Sequence, residues 1–245
     1  ILVLLSFAAA VLILHQRKLA QQPVLLATLL LMLLFWQGLL GKWTVTLRLH
    51  PLVVMSHLLG GFALLSVLWL LLLRLKPFHI PACTSQEEKL RPWAILGLLF
   101  IILQISLGGW TSANYAAFVC TDFPMCQGQW WPPMNFSAGF HLSFNAEQNY
   151  EGGVLSTTAR TAIQMSHRLG ALITTSYLAC LIYKLFGTRQ GSLLRRIGLI
   201  LLLLLIIQIS LGALNVLWAL PLLIAMAHNA VAALLLLSLI TLNIY

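Results

Sequence analysis

Long apolar runs broken by short polar intervals repeat along the chain. The runs are continuous rather than alternating, which argues against strands and against a membrane barrel. Seven are drawn, at 1–14, 23–41, 51–73, 92–110, 161–184, 196–218 and 221–243. Every run after the first has the length a helix needs to cross the ~30 Å of bilayer hydrocarbon, about 20 residues. The first opens on ILVLLSFAAAVLIL with neither a starting Met nor a basic leader. It reads as the later part of a spanning helix rather than as a signal peptide. Pro51 and Pro221 stand where helices begin, the position at which a missing backbone N–H costs nothing.

Within the runs a unit repeats. Gln37, Leu40, Gly41, Val45 and His57 match Gln208, Leu211, Gly212, Val216 and His228, with the same Gln-to-His distance of twenty residues. A third copy of the opening, QISLG at 104–108, leads into a long polar loop, and the next helical histidine is His167. The polar interval 74–91, carrying Glu87 and Glu88, falls between the two full copies and marks the boundary. The expected organisation is an N-terminal half-bundle over 1–76, a cytoplasmic linker over 77–91, and a C-terminal four-helix bundle over 92–245 with an outer loop at 111–160.

Composition agrees with this reading. Hydrophobic residues make up 60% of the chain and charged residues 8%, against roughly a quarter charged in soluble domains. The formal net charge of +9 raises nucleic acid as a partner, but the cations are not arranged for phosphate reading. Ten, among them Arg17, Lys18, Arg74, Lys89 and Arg195, fall on one set of loops; Lys42, Arg48, Arg160 and Arg168 fall on the other. The richer side is cytoplasmic by the positive-inside rule, and the lipid bilayer accounts for the charge without nucleic acid.

The outer loop is aromatic, with Trp130, Trp131, Phe136, Phe140 and Phe144. Two readings stand: a lid over the outer end of the second half, which is favoured, or an interfacial anchor with no ligand beneath. Cys120 and Cys126 bracket TDFPM in this loop. On an oxidising face they can form a structural staple or a redox-active pair; zinc suits them less, since no second ligand pair stands at finger spacing. Cys180 reads as packing in an apolar helix and Cys83 as a reduced cytoplasmic thiol.

His15, His50, His79 and His141 lie in loops or at helix ends and read as surface. His57, His167 and His228 differ, each being drawn about seven residues in from the outer end of a helix, ~10 Å deep. An ionisable group at that depth marks function by default, although a single buried imidazole also serves to tie helices together. In a four-helix arrangement His167 and His228 can face one another, which is what a haem iron needs axially. Small neighbours such as Gly170, Ala171 and Ala225 leave room for a flat macrocycle, and Arg168 is placed to meet a propionate. His57 has no such partner in the sequence, and the 171-residue repeat offset puts the counterpart of His167 just upstream of Ile1.

The segments GKWTVTLRLHPLVVMSHLLGG (41–61), LGGWTSANYAAFVCTDFPMCQGQWWPPMNF (107–136), MSHRLGAL (165–172) and the closing LGALNVL and AHNA resemble the heme A synthase family of cytochrome oxidase assembly proteins. The resemblance implies an all-α polytopic membrane protein of two pseudo-repeated four-helix bundles, seven helices being visible here with the first helix and the start of the second missing. It implies that His167 and His228 hold a b-type haem (haem b) and that His57 helps bind the substrate, haem O. It places the family's catalytic glutamate upstream of Ile1, so no catalytic residue is assigned, and it matches Cys120 and Cys126 to the family's second-half loop cysteines. The implied reaction oxidises a haem O methyl to the formyl of haem A, in the bacterial inner membrane with the cysteine loop outside. Haem O synthase and an electron donor are the further partners expected. Two other classes remain at this point: a bis-histidine b-type cytochrome taking electrons from quinol, and a transporter built from repeats.

Overall fold

A computed structural model describes residues 2–16, 22–75, 89–142, 145, 147–189 and 192–244. Most of the expected linker, with His79, Cys83, Glu87 and Glu88, lies outside the described residues, as do Arg17, Lys18 and Phe144. The described residues form seven long helices: α1 (Leu2–His15), α2 (Val24–Thr46), α3 (Pro51–Leu75), α4 (Arg91–Ala113), α5 (Thr157–Phe186), α6 (Leu193–Leu217) and α7 (Leu222–Ile244). Six of these, α2 to α7, are long and apolar enough to cross a membrane; α1, with 14 residues, is shorter than a span requires. The chain is a multi-pass, all-helical membrane protein.

Local chemistry sets the helix ends. Pro51 opens α3, and Pro92 sits in the first turn of α4. Ser156 and Ser192 cap α5 and α6, their hydroxyls accepting from the backbone N–H of Ala159 and Arg195. The Ser156 cap starts α5 four residues before the expected 161, so His167 lies one turn deeper along its helix than drawn from sequence. Helix α2 runs past Gly41 to Thr46, which shortens the expected loop 42–50 to residues 47–50.

The duplication reaches the hairpins. Between α2 and α3 the backbone N–H of Leu49 donates to Thr44 O at 2.8 Å; between α6 and α7 that of Leu220 donates to Asn215 O at 2.8 Å. In each turn two consecutive residues take the left-handed conformation, Arg48 and Leu49 (φ 47° and 61°) and Ala219 and Leu220 (φ 55° and 60°). The six-to-one bond across each turn is the helix-ending pattern that normally recruits glycine. Neither turn contains one.

Helices α4, α5, α6 and α7 pack in a ring, each against the next and α7 back on α4, while α3 leans on α4 and α7 and carries α2 and α1 outward. The inner half of the ring is filled by Leu and Ile, including Leu178, Leu181, Leu185, Leu201, Leu235 and Leu239. In hydrocarbon this close packing, rather than escape from water, holds helices together. Phe62 of α3 joins the same cluster, and Trp69 Nε1 donates to Thr241 Oγ1 at 2.9 Å. Gly109 lets α3 approach closely: a Cβ there would stand 2.9 Å from Leu58 Cδ2. Cys180, expected to pack, instead lies exposed on the outer face of α5 beside Tyr183, a face that only lipid would cover.

The outer loop folds back onto the bundle. Trp110 Nε1 donates to Gly139 O at 2.9 Å, the N–H of Asn135 donates to Thr158 O, and Gln127 Nε2 donates to Thr161 Oγ1. Its far end reaches the first half: the N–H of Tyr150 donates to Arg48 O at 3.1 Å and Arg48 Nη1 donates to Glu147 O at 3.0 Å. His50, expected at the surface, is buried edge-on against the Tyr150 ring because this strap covers it. Trp130 and Trp131 remain exposed, as an interfacial aromatic belt requires.

Candidate functional site

The half of the ring beneath the 111–160 loop is hollow. A cavity of about 770 Å³ opens above the leucine core, within the size range of cofactor sites. His167 of α5 and His228 of α7 both line it, as expected for two imidazoles facing into one bundle. Ile101, Ile105, Leu205 and Leu235 form its apolar floor, and Val54 and Leu58 of α3 contribute part of a wall. Tyr115, Ala117, Phe118 and Phe123 of the outer loop also line it, which supports the lid reading over the bare anchor. His57 does not reach this cavity; it is exposed on another face of α3.

Each of the three helical histidines meets a glutamine of the preceding helix, through ring and backbone at His167, the ring alone at His228 and the backbone alone at His57. Gln104 Nε2 lies 3.0 Å from His167 Nδ1 and donates to His167 O at 3.0 Å. Gln208 Nε2 lies 3.2 Å from His228 Nε2. Gln37 Nε2 donates to His57 O at 3.0 Å. Four residues after each glutamine stands a glycine that makes room for the ring. A Cβ at Gly108 or Gly212 would lie 3.1 Å from Cε1 of His167 or His228, and one at Gly41 would lie 3.4 Å from His57 Cε1. Glycine also follows two of the histidines by three residues. A side chain at Gly60 or Gly170 would collide with the Gln37 or Gln104 amide, so these glycines admit the amide to the backbone carbonyl. Val231 stands at the third such position, and there the glutamine meets the ring alone.

Arg168 is committed to the lid. Its Nη1 donates to Met125 O at 2.8 Å and Pro124 O at 3.3 Å, and its Nη2 donates to Asp122 O at 3.0 Å and Cys120 O at 3.5 Å. The guanidinium also lies 5.8 Å from the Phe123 ring centroid. Only Nε is left without a partner, so the expected propionate contact has one nitrogen rather than a free fork. The carbonyls that Arg168 gathers belong to the loop closed by the Cys120–Cys126 disulfide, whose two sulfurs are buried against Met165. Asp122 completes the loop by accepting from the N–H groups of Gln127 and Gly128 at 2.7 and 2.8 Å. The Gly128 bond, followed by that of Gln127, holds its carboxyl below the ordinary value of 3.8.

The donor set limits what the cavity can take. Among the described residues no three His, Cys, Asp or Glu side chains cluster to hold a metal ion. Two imidazoles fall short of the four donors that a bare ion takes from protein. A metal that brings its own equatorial nitrogens needs only those two, and the apolar floor and glycine-lined walls suit a flat macrocycle. Several buried polar atoms facing this region, including Gln164 Oε1 and Asn215 Oδ1, have no protein partner. Such atoms call for a polar ligand edge or ordered water. The residues present therefore fit a haem.

Reasoning from sequence named these glutamines and glycines as repeat positions or as space for a macrocycle, and gave them no part in holding the histidines. The signal was there, since Gln and Gly match between the copies as strictly as His does.

The cytochrome oxidase assembly protein family model matches residues 1–240. The chain is 46% identical over 228 residues to a heme A synthase of Shewanella oneidensis, covering 93% of this chain and 68% of that protein. It is 28% identical to a heme A synthase of Neorickettsia sennetsu and 26% identical to one of Caulobacter vibrioides, with 82% of the chain covered in each case. It spans 57% and 56% of those two proteins. A hollow bundle end lined by two imidazoles, found in a chain matched along nearly its whole length, makes this protein a member of the heme A synthase family of cytochrome oxidase assembly proteins.

Proposed function

We propose that the protein is a heme A synthase, an oxidoreductase that converts the methyl group of haem O to the formyl group of haem A within the bacterial inner membrane, for cytochrome oxidase maturation. The observation that carries this reading is the cavity lined by both His167 and His228, each ring backed by a glutamine and a glycine. These two histidines would hold a resident b-type haem, which supplies one-electron transfer when bound. The family relationship favours the synthase over a bis-histidine cytochrome that only passes electrons.

The chain's own residues do three things in this scheme. His167 and His228 ligate and orient the cofactor, with Arg168 Nε free for its acidic edge. The leucine floor and the lid residues Phe118 and Phe123 keep water from it. His57, on the outward face of α3, binds the substrate's iron and fixes the methyl group relative to it. The methyl carbon passes through two hydroxylations, each taking one oxygen atom from dioxygen while two electrons from the donor and two protons reduce the other atom to water, and loss of one further water from the geminal diol leaves the aldehyde. Haem O synthase would deliver the substrate to the His57 side, and an electron donor would serve the other.

The test is pigment analysis of membranes from cells that make haem O and carry the full-length protein. Formation of haem A supports the synthase; unchanged haem O beside bound b haem supports the cytochrome instead. In the purified protein His228→Ala should abolish the six-coordinate haem spectrum. Retention of a normal spectrum would refute the pairing.

A further inference from the structure

The triplicated contact between a glutamine amide and a histidine is not needed to build a helical bundle. In all three copies the glutamine spends Nε2 on the histidine and leaves Oε1 buried with no donor: Gln37, Gln104 and Gln208 alike. An unsatisfied buried carbonyl costs about 1–3 kcal/mol. One local accident of that kind is ordinary, but the same orphan in three copies points to a donor that arrives later.

The ring supplies one. A neutral imidazole carries a single proton, and the nitrogen that gives its lone pair to a metal must be the other one. At His167 the Gln104 NH₂ faces Nδ1, so Nδ1 accepts and the ring proton sits on Nε2, the other nitrogen of a side chain that lines the cavity. Ligation through Nε2 moves the proton to Nδ1. Two N–H groups would then face each other, unless the Gln104 amide turns over and presents Oε1. The turn gives Oε1 a donor in exchange for the Nε2 bond to His167 O, a carbonyl that the backbone ladder of α5 also serves, and it leaves the ring N–H donating to a fixed carbonyl. Metal-bound histidines generally have their second nitrogen held by an acceptor.

We propose that Gln104 is a positioning residue for the His167 ligand: its amide turns to accept the His167 Nδ1–H when Nε2 binds iron, and so sets the ring's orientation and donor strength. At His228 the ring is presented the other way round, with Gln208 facing Nε2 and Nδ1 left without a partner, so the device is assigned to His167 alone. Gly108 and Gly170 are part of the device, the first leaving space for the ring and the second for the amide. The inference rests on the haem reading above and adds to it the group that tunes the site.

The experiment is a redox titration of the purified full-length protein, following the haem absorption bands, with Gln104→Leu and Gln104→Glu beside the wild type. Removing the acceptor weakens imidazole donation and favours ferrous iron, so the Leu variant should titrate at higher potential. A carboxylate accepts more strongly, so the Glu variant should titrate lower. A change of about tenfold in the ratio of ferric to ferrous affinity, the smaller end of second-shell effects, corresponds to ~59 mV for one electron. Loss of haem from the Leu variant with retention in the Glu variant also supports the proposal. It is overturned if both variants titrate with the wild type, if both shift in the same direction, or if both lose haem while remaining helical. A wild-type protein that binds no haem defeats the underlying functional reading as well, and is told apart by its own spectrum.

Discussion

Replacing Arg168 with alanine should loosen the disulfide loop without unfolding the bundle. Two of the four carbonyl contacts are short, at 2.8 Å to Met125 O and 3.0 Å to Asp122 O, and two are long, at 3.3 and 3.5 Å. A hydrogen bond to a charged group contributes about 1.5–3 kcal/mol, and one stretched beyond 3.2 Å contributes little. Water reaches part of this loop, so the low end applies to each short bond, and the sum is about 3 kcal/mol. That is roughly a hundredfold in the local opening equilibrium, at 1.4 kcal/mol per decade. Hydrogen exchange of the 120–128 backbone, measured by mass spectrometry on detergent-solubilised protein, reads this number directly. Arg168→Lys should fall between, because an ammonium is a point charge and cannot fork across four carbonyls. Exchange in Arg168→Ala that matches the wild type would refute the account, and would return the guanidinium to a role with ligand alone.

Three further outcomes are expected. Gly212→Ala places a methyl 3.1 Å from His228 Cε1 and should lower haem affinity about 10–100-fold, as displaced second-shell support does; equilibrium haem transfer to an acceptor protein measures it. Ala219→Gly relieves a left-handed alanine (φ 55°) and should stabilise the α6–α7 turn by about 0.5–1 kcal/mol after the extra chain entropy of glycine is counted; thermal unfolding in detergent reports the gain. The Asp122 carboxyl is held below 3.8, chiefly by the Gly128 N–H. Its contribution to loop stability is therefore complete above that value and fades as pH falls through the lower folded value. Loop exchange corrected for intrinsic rates should stay flat from neutral pH down to about pH 4 and rise below it, and in Asp122→Asn this acid step should vanish.

The spans were legible because apolar length is a direct signal of membrane crossing, and the ends moved by only a few residues where a serine cap or a tolerated glycine extended a helix. That His167 and His228 line one cavity was legible because both were drawn at the same depth on neighbouring helices of one bundle. Three things were not. Burial of His50 depends on Tyr150, a hundred residues away, which no local pattern reports. The work of Arg168 depends on how the 120–126 loop curls over it, and carbonyl acceptors carry no sequence mark. The glutamines were visible as matched positions of the repeat, but spacing alone gives an amide in an apolar run no partner. Only the ring contacts and the orphaned oxygens single them out.

Helix α3 faces the cavity with Val54 and Leu58 and carries His57 on another side. The partition between the two places is therefore the thickness of one helix, ~10–12 Å. A wall that thin and that dry divides traffic by kind. An electron, light enough to tunnel, can cross it, whereas a hydrated proton or a second substrate must go around.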